Sequence, residues 1–366
     1  MPKSTKHLLI GSAAAHSGKS TTAIAVGAQL QALGFQVGWG KPLASIETSK
    51  YVANVPDTDL DFVPATLALS PAQQLPTLFD FSRLTLAEQL AQDQASQLQD
   101  MLTHYWEHTT GDIALIEGPS NLEEGALLNL SLPEISVALD ASVLLVTQFN
   151  APHMVDQIVS ARKRLGDAFL GVILNQVDEA DISLAHETVV PYLEQQGIPV
   201  LGILPQLPFL RGMRVAELVR RLEAEVLCCD DHLDLVVESL KIGAMNVNAA
   251  LRFFGQGVHQ AVVTGGDRRD LQIAALETST HCLILTGQIA PSKDVIALAQ
   301  DKEVPILAVV TDTLSTVESV DSLFGHVALN NPDKVPLIKE ALAPKIDIQR
   351  LVSLVGLEMP AVAPSS

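Results

Sequence analysis

Cysteine is scarce in this chain of 366 residues: Cys228, Cys229 and Cys282 are the only three, and two of them are adjacent. Neither a disulfide framework nor a CxxC metal knuckle can be built from them, which points to a reducing compartment. Basic side chains are also few. Twenty-three lysines and arginines face 42 aspartates and glutamates, a net charge of −19 with a pI near 4.8. A nonspecific binder of nucleic acid or anionic membrane needs the opposite sign. Long apolar runs are missing too: Val143–Val146 and Ile306–Val310 are strand-sized, far below the ~20 residues of a membrane span. The opening segment has only Leu8, Leu9 and Ile10 before Gly11 interrupts, so a signal-peptide pattern is absent. Histidines are scattered without metal-ligand spacing, and no internal repeat is visible. The expectation is a soluble, cytoplasmic protein with no nucleic-acid or membrane partner.

Hydrophobic residues make up 48% of the chain, enough for real cores and against a disordered polypeptide. At roughly 150 residues per domain, the length suggests two domains or one large one. Short aliphatic runs alternate with longer amphipathic stretches, the pattern of parallel strands joined by crossover helices. Strands are expected at His7–Gly11, Gln36–Trp39, Ile113–Glu117, Ser142–Thr147, Phe169–Asn175 and Pro199–Leu204. Lys19–Leu33 reads as a helix stopped by Gly34, and Thr85–His108 as another, opened by a Thr85-x-x-Glu88 capping box. Glu47–Phe81, rich in Pro, Asp and Thr, reads as an excursion over one edge of the sheet. Pro205, Pro208 and Gly212 punctuate the chain, and a second α/β alternation follows. It runs through Glu225–Cys228, Ile242–Met245, Gln260–Thr264, His281–Leu285 and Pro305–Val310. Lys345–Ser366 holds one short helical pattern, Asp347–Leu354, before a Pro/Ala/Ser tail. The expected organisation is a mostly parallel sheet with helices on both faces in residues 1–210. A smaller α/β domain follows in residues 211–344, with a tail in residues 345–366.

The strongest chemical signal is Gly11-Ser-Ala-Ala-Ala-His-Ser-Gly18-Lys19-Ser20-Thr21, set between an apolar strand and an amphipathic helix. This is the context of a P-loop. Small residues let main-chain N–H groups curl around a phosphate, and the helix N-terminus adds partial positive charge. Ser17, Gly18 and Thr21 would line the phosphate, Lys19 would reach its terminal oxygens, and the Ser20 hydroxyl would meet magnesium. The strict GxxxxGK[ST] pattern fails at its first position, where Ala13 stands. His16 either touches nucleotide or faces solvent. Asn175 closes an apolar strand and begins Asn175-Gln-Val-Asp178. Its amide, donor and acceptor at once, could read a purine edge, or the segment could be an ordinary strand-ending turn. Adenine is the default, while the Asp178 carboxylate leaves guanine open. Gly202-Ile-Leu-Pro205 could form the other wall of a base pocket.

The loop Gly11–Thr21, Gly40-Lys41-Pro42 and Ile116-Glu117-Gly118-Pro119 together resemble dethiobiotin synthetase and its relatives, a P-loop NTPase-like family that tolerates a displaced first glycine. Closer still is the dethiobiotin-synthetase-like N-terminal module of long phosphate acetyltransferases. Ser17-Gly-Lys-Ser20, Asp57-Thr-Asp59-Leu-Asp61-Phe62 and Glu117–Gly125 resemble it, over roughly residues 6–210. The resemblance implies ATP and Mg2+ as cofactors. It implies that Lys41, at a strand's C-terminal end, approaches phosphates or an acidic substrate. It further implies that Glu117 and Asp59, with Asp57 as alternate, help Ser20 to hold the metal. A dethiobiotin synthetase would show a Glu-Gly-Ala-Gly-Gly-like turn where this chain has Glu117-Gly-Pro-Ser-Asn121, which weakens that activity. Glu123-Glu124-Gly125 could offer ligands for a cationic group, but a charged loop is the favoured reading.

In the second half, Val262-Val-Thr-Gly265-Gly266-Asp267-Arg268-Arg-Asp270 follows a strand and opens a helix. With Gly243–Val247, Leu285–Gln288 and Asp312-Thr313, it resembles the DRTGG domain that follows the same module in long phosphate acetyltransferases. Gly265, Gly266, Asp267 and Arg268 are the expected contacts for an anion or nucleotide effector, although Asp267 and Arg268 could equally pair with each other or with a neighbouring subunit. Cys228 and Cys229 are expected to bury as small hydrophobes. The large acetyl-transferring domain is expected to be missing. The functional expectation is an ATP-binding, magnesium-dependent regulatory or sensor protein, a slow ATPase at most and a homo-oligomer. The alternative is an ATP-dependent carboligase or amide ligase related to dethiobiotin or cobyrinic acid diamide synthase.

Overall fold

The computed structural model describes residues 5–44, 57–80, 100–102, 105, 110–149, 153–325 and 332–360. Most of the helix expected at Thr85–His108, the first part of the Glu47–Phe81 excursion and the end of the Pro/Ala/Ser tail lie outside them. Two compact units result. The first takes the described residues up to Gln206 together with those from 332 onward, and the second takes those from Leu207 to 325.

The first unit is built on strands β1 (Lys6–Ser12), β2 (Val37–Gly40), β4 (Gln74–Leu75), β6 (Ile113–Glu117), β7 (Ser142–Gln148), β8 (Phe169–Val177) and β9 (Val200–Pro205). Their order is β4-β2-β6-β1-β7-β8-β9, and every neighbouring pair is parallel. Parallel sheets are covered on both faces, so their strands read as unbroken apolar runs. Leu8, Leu9 and Ile10 of β1, and Val143 to Val146 of β7, are completely buried. That continuity is what made these strands visible in the sequence. Within the excursion the chain forms helix α2 (Asp59–Thr66) and a short parallel ladder of β3 (Leu43–Ala44) with β5 (Phe79–Asp80).

Helix α1 (Lys19–Ala32) starts after Gly18, whose φ is 90°, and stops before Gly34, whose φ is 89°. Both are left-handed positions that glycine occupies without a Cβ penalty. The sheet brings its carboxyl ends to one edge. There the loop after β1 meets the ends of β2, β6, β7 and β8, the edge at which open parallel sheets bind ligands.

The C-terminal residues belong to this first unit. Ile346 bridges Gly202 in antiparallel fashion, and the Asp347 amide donates to the Leu201 carbonyl at 2.7 Å. The following helix, Ile348–Val355, is capped by the Asp347 side chain, which accepts from the Arg350 amide at 3.0 Å. Arg350 grips Glu194 through both guanidinium nitrogens at 2.7 and 2.9 Å. Sequence sets this stretch apart as a tail. In the structure it lies along β9, the last strand of the sheet, whose edge would otherwise present unpaired main-chain groups.

The second unit carries β11 (Glu225–Cys228), β13 (Ser239–Ile242), β14 (Gln260–Gly265), β15 (Thr280–Thr286) and β16 (Ile306–Ala308) in the order β11-β16-β15-β14-β13. β13 to β16 pair in parallel, and β11 runs antiparallel to β16. A two-residue ladder joins β10 (Met213–Arg214) to β12 (Val236–Val237). Alternate residues serve two cores. Val262, Leu283 and Leu285 pack with Phe254 and Leu271, while Val263, Cys282 and Ile284 pack with Val320 and Leu323. The strand expected at Ile242–Met245 lies earlier, because Ser239 to Ile242 are the residues in register with Gln260 to Val263. As an edge strand β13 is only partly buried, with Ile242 exposed, so its apolar letters mark its position poorly. Cys228 and Cys282 are buried, Cys229 is half-buried and all three are free. No described helix is long and apolar enough to cross a membrane.

Candidate functional site

The loop between β1 and α1 has exposed outer residues, Ala14 to His16, and buried inner residues, Ser17, Lys19 and Ser20. Three side-chain amides from the carboxyl ends of β7 and β8 hold it. Asn175 Nδ2 donates to the Ser17 carbonyl at 2.8 Å. Gln148 Nε2 and Gln176 Nε2 donate to the His16 carbonyl at 3.0 and 3.3 Å. In a trans peptide the N–H points away from the preceding carbonyl. Anchoring these two carbonyls therefore aims the Ser17 and Gly18 amides in the opposite direction, away from the clamping side chains. The Ser17 hydroxyl closes the turn onto the Ala14 carbonyl at 2.6 Å. His16 itself has φ 56°, a further left-handed position in the loop.

Gly18 has no alternative at its position: a Cβ there would lie 2.2 Å from Asn175 Nδ2. Thr21 is buried on α1, and the Thr22 hydroxyl returns to the Gly18 carbonyl at 2.9 Å. Lys19 Nζ donates to Ser12 Oγ at 3.1 Å, and Ser12 in turn donates to the Ser120 carbonyl at 2.9 Å. Burial pulls the Lys19 ammonium below the usual lysine range, partly opposed by the charge of Glu117.

Beside the loop lies a buried cluster of charge. Lys41, at the end of β2, is 6% exposed. Its Nζ is 2.6 Å from Asp57 Oδ2, 3.0 Å from Glu117 Oε1 and 3.6 Å from Asp59 Oδ2. Burial alone would lower its proton affinity, but Glu117, Asp59 and Asp57 outweigh burial and hold the ammonium firmly charged. Ser20 Oγ lies 2.7 Å from Asp59 Oδ2 and 3.0 Å from Glu117 Oε1. A hydroxyl has one proton and can serve only one of these acceptors at a time. Glu117 is 2% exposed, and burial pushes its carboxyl above the usual range. Its Oε2 has no hydrogen-bond partner among the described residues.

The expected residues Lys19, Ser20, Lys41, Asp59 and Glu117 thus meet at one place, drawn from α1, β2, α2 and β6. Their oxygen donors, a hydroxyl and two carboxylates with one orphaned buried oxygen, have the chemistry of a hard divalent cation's ligands. Among the described residues no group of three or more His, Cys, Asp or Glu forms a metal cage on its own. Asn175 is 5% exposed, and its amide proton donor is engaged by the loop. Gly202–Pro205 runs along β9, paired with β8. Asp178 opens the turn Glu179–Asp181. Glu123 pairs with Arg164, and the Glu124 carboxylate accepts from the Ser120 amide.

Sequence gives Ser12 and Gln176 no role of their own within Gly11–Thr21 and Asn175–Asp178, and does not single out Gln148. Their only signal is position, a polar residue at the carboxyl end of a parallel strand.

In the second unit the turn after β14 is held from within. Gln272, fully buried, donates from Nε2 to the Gly265 and Gly266 carbonyls at 2.9 and 3.0 Å. A Cβ on Gly266 would meet the Ile289 carbonyl oxygen at 2.1 Å. Arg268 donates to the Met245 carbonyl at 3.0 Å and approaches Asp270 at 3.6 Å, so its guanidinium turns to these groups to brace the turn. Asp267 lies on the turn, its Oδ1 2.5 Å from where a Cβ on Gly265 would stand.

A parallel sheet with a glycine-lysine loop at its carboxyl edge defines a P-loop nucleotide-binding module. The AAA domain model matches residues 6–214 and the DRTGG domain model residues 217–323. The chain belongs to the AAA domain family, with a DRTGG domain following. It is similar to the phosphate acetyltransferase of Pseudomonas putida, 26% identical over 90% of this chain and 49% of that protein. It is also similar to the phosphate acetyltransferase of Nitrosomonas europaea, 23% identical over 93% of this chain and 50% of that protein. The chain spans about half the length of these curated relatives. Among solved structures, the septum site-determining protein MinD of Pyrococcus horikoshii, complexed with Mg-ADP, matches with TM-score 0.34 and 16% identity over 57% of this chain and 84% of that one. The CBS and DRTGG domains of the Clostridium perfringens pyrophosphatase regulatory region, complexed with diadenosine tetraphosphate, match with TM-score 0.28 and 15% identity over 46% of this chain and 86% of that one.

Proposed function

We propose that the first unit binds ATP together with magnesium and that the chain is a regulatory or sensor protein. The observation that carries this reading is the convergence of Lys19, Ser20, Lys41, Asp59 and Glu117 beside a loop whose carbonyls are pinned outward. Ser20, Asp59 and Glu117 would hold the metal, which supplies charge neutralisation of the phosphates. Ser17, Gly18 and Thr21 line the phosphate, and Lys19 and Lys41 meet its terminal oxygens. Asn175 serves this site by holding the loop, and we assign it that role ahead of reading the base. Hydrolysis is expected to be slow, since Asp59 and Glu117, the carboxylates in reach, would be taken up by the metal instead of standing free to take a proton from water.

Gly265, Gly266, Asp267 and Arg268 are the proposed contact for a second, anionic or nucleotide effector in the DRTGG domain. A homo-oligomer is proposed on the family resemblance, and a cytoplasmic setting on the scarcity of cysteine and of long apolar runs. Acetyl transfer, the activity in the relatives' name, is not proposed for a chain that spans half of them.

The test is thermal unfolding with and without MgATP. A ligand bound only by the folded state raises stability by about 2.7 kcal/mol at a hundred times its Kd. The wild-type protein should gain several degrees and Lys19→Ala should gain none. An equal rise in both proteins refutes the assignment.

A further inference from the structure

Lys41 and Ser20 reach for the same two oxygens. Asp59 Oδ2 and Glu117 Oε1 both lie within hydrogen-bond distance of the Ser20 hydroxyl, which serves one of them at a time, and both are ion-paired with the Lys41 ammonium. Asp57 adds the shortest contact to that ammonium, at 2.6 Å. Lys41 is therefore more than an approach to phosphate: it neutralises, inside the protein, the carboxylates that a divalent cation would need. Two cations cannot share these oxygens without strong repulsion. Removing the ammonium with nothing in its place would leave buried carboxylates uncompensated.

We infer that Lys41 is the resident cation of this site, occupying the Asp59–Glu117 oxygens in the nucleotide-free protein, so that a divalent cation enters only with a polyphosphate that draws the ammonium onto itself. The inference rests on the nucleotide-binding reading above and adds an order of binding to it. Glu117 Oε2, buried and without a partner among the described residues, is the oxygen left over for the incoming metal. Three carboxylates within 3.6 Å of its Nζ make the departure of Lys41 conditional on a new anion. Phosphate oxygens provide one, since an ammonium is a point charge that pairs with them readily.

The experiment titrates Mn2+ into the full chain, following free Mn2+ by electron paramagnetic resonance, with and without ATP. Nucleotide-free wild-type protein should bind Mn2+ at least tenfold more weakly than nucleotide-free Lys41→Met. ATP should bring the wild type to the variant's affinity or beyond. Equal Mn2+ affinities of the two nucleotide-free proteins overturn the inference. So does a wild type that takes ATP, judged by its thermal shift, without any gain in Mn2+ affinity. If Lys41→Met does not fold, Asp57→Asn replaces it. That variant loosens the shortest hold on Lys41 without touching the Ser20 contacts, and should raise nucleotide-free Mn2+ affinity about threefold; no gain overturns the inference. Failure of the wild type to bind ATP, with the Mn2+ difference intact, sinks the nucleotide reading and leaves Lys41 as the internal counter-ion.

Discussion

The side-chain amide of Asn175 donates to the Ser17 carbonyl at 2.8 Å across 158 residues of chain. It fixes the peptide plane that carries the Gly18 amide, so it acts on phosphate through the loop.

Replacing it separates loop holding from base reading. Asn175→Ala removes one buried hydrogen bond, a loss of about 1 kcal/mol plus the cost of an orphaned carbonyl. Affinity for ATP and for GTP should fall by a similar factor, about tenfold, in calorimetric titrations. A loss confined to one nucleotide would return Asn175 to the base pocket.

Gly18→Ala should be worse. The left-handed backbone costs about 1–3 kcal/mol for a non-glycine residue, and the new Cβ would sit 2.2 Å from Asn175 Nδ2. Urea unfolding should show that loss, and MgATP should no longer raise the melting temperature.

The Glu194–Arg350 pair gives a pH dependence with a defined sign. The Arg350 hydrogen bonds hold the Glu194 carboxyl below its usual range. A carboxyl lowered by folding contributes stability that is complete above its ordinary pKa of about 4.3 and is lost as pH falls through the folded value. The pair is partly exposed, which limits it to about 1 kcal/mol or less. Between pH 6 and pH 3 the wild-type protein should lose more stability than Glu194→Gln, measured by chemical denaturation. Parallel losses in the two proteins would show that the pair contributes nothing.

In the second unit, Gln272→Leu leaves the Gly265 and Gly266 carbonyls without their buried donor. Unsatisfied buried groups cost about 1–3 kcal/mol each. Hydrogen exchange should quicken around Gly265 to Arg268, while the thermal response to MgATP stays as in the wild type. Unchanged exchange there would mean that Gln272 does not hold the turn.

Much of the parallel sheet was legible because its central strands are buried on both faces and stand out as apolar runs, as in Leu8 to Ile10 and Val143 to Val146. The ends of α1 were legible because Gly18 and Gly34 mark its two left-handed positions. Ala13, where the loop pattern expects glycine, did not obscure the loop, because Gly18-Lys-Ser kept its setting between strand and helix. β13 was misplaced by three residues, since an edge strand with a charged Lys241 and an exposed Ile242 lacks the periodicity of a core strand. The types of Lys41, Asp59 and Glu117 could be picked out. That one ammonium would sit among Asp57, Asp59 and Glu117 could not, because it depends on the meeting of β2, α2 and β6. Gln148 and Gln176 were silent for the same reason: a polar residue ending a strand acquires a role only from the loop that folds against it.

The main-chain bridge from Ile346 and Asp347 to Gly202 and Leu201 means that the first unit is written in two instalments, with the described residues of the second unit translated between them. A ribosome therefore releases β9 with a bare flank and keeps it so until residues beyond 340 emerge. During that interval the nascent sheet is open to pairing with the wrong partner, a hazard of late-completed β edges.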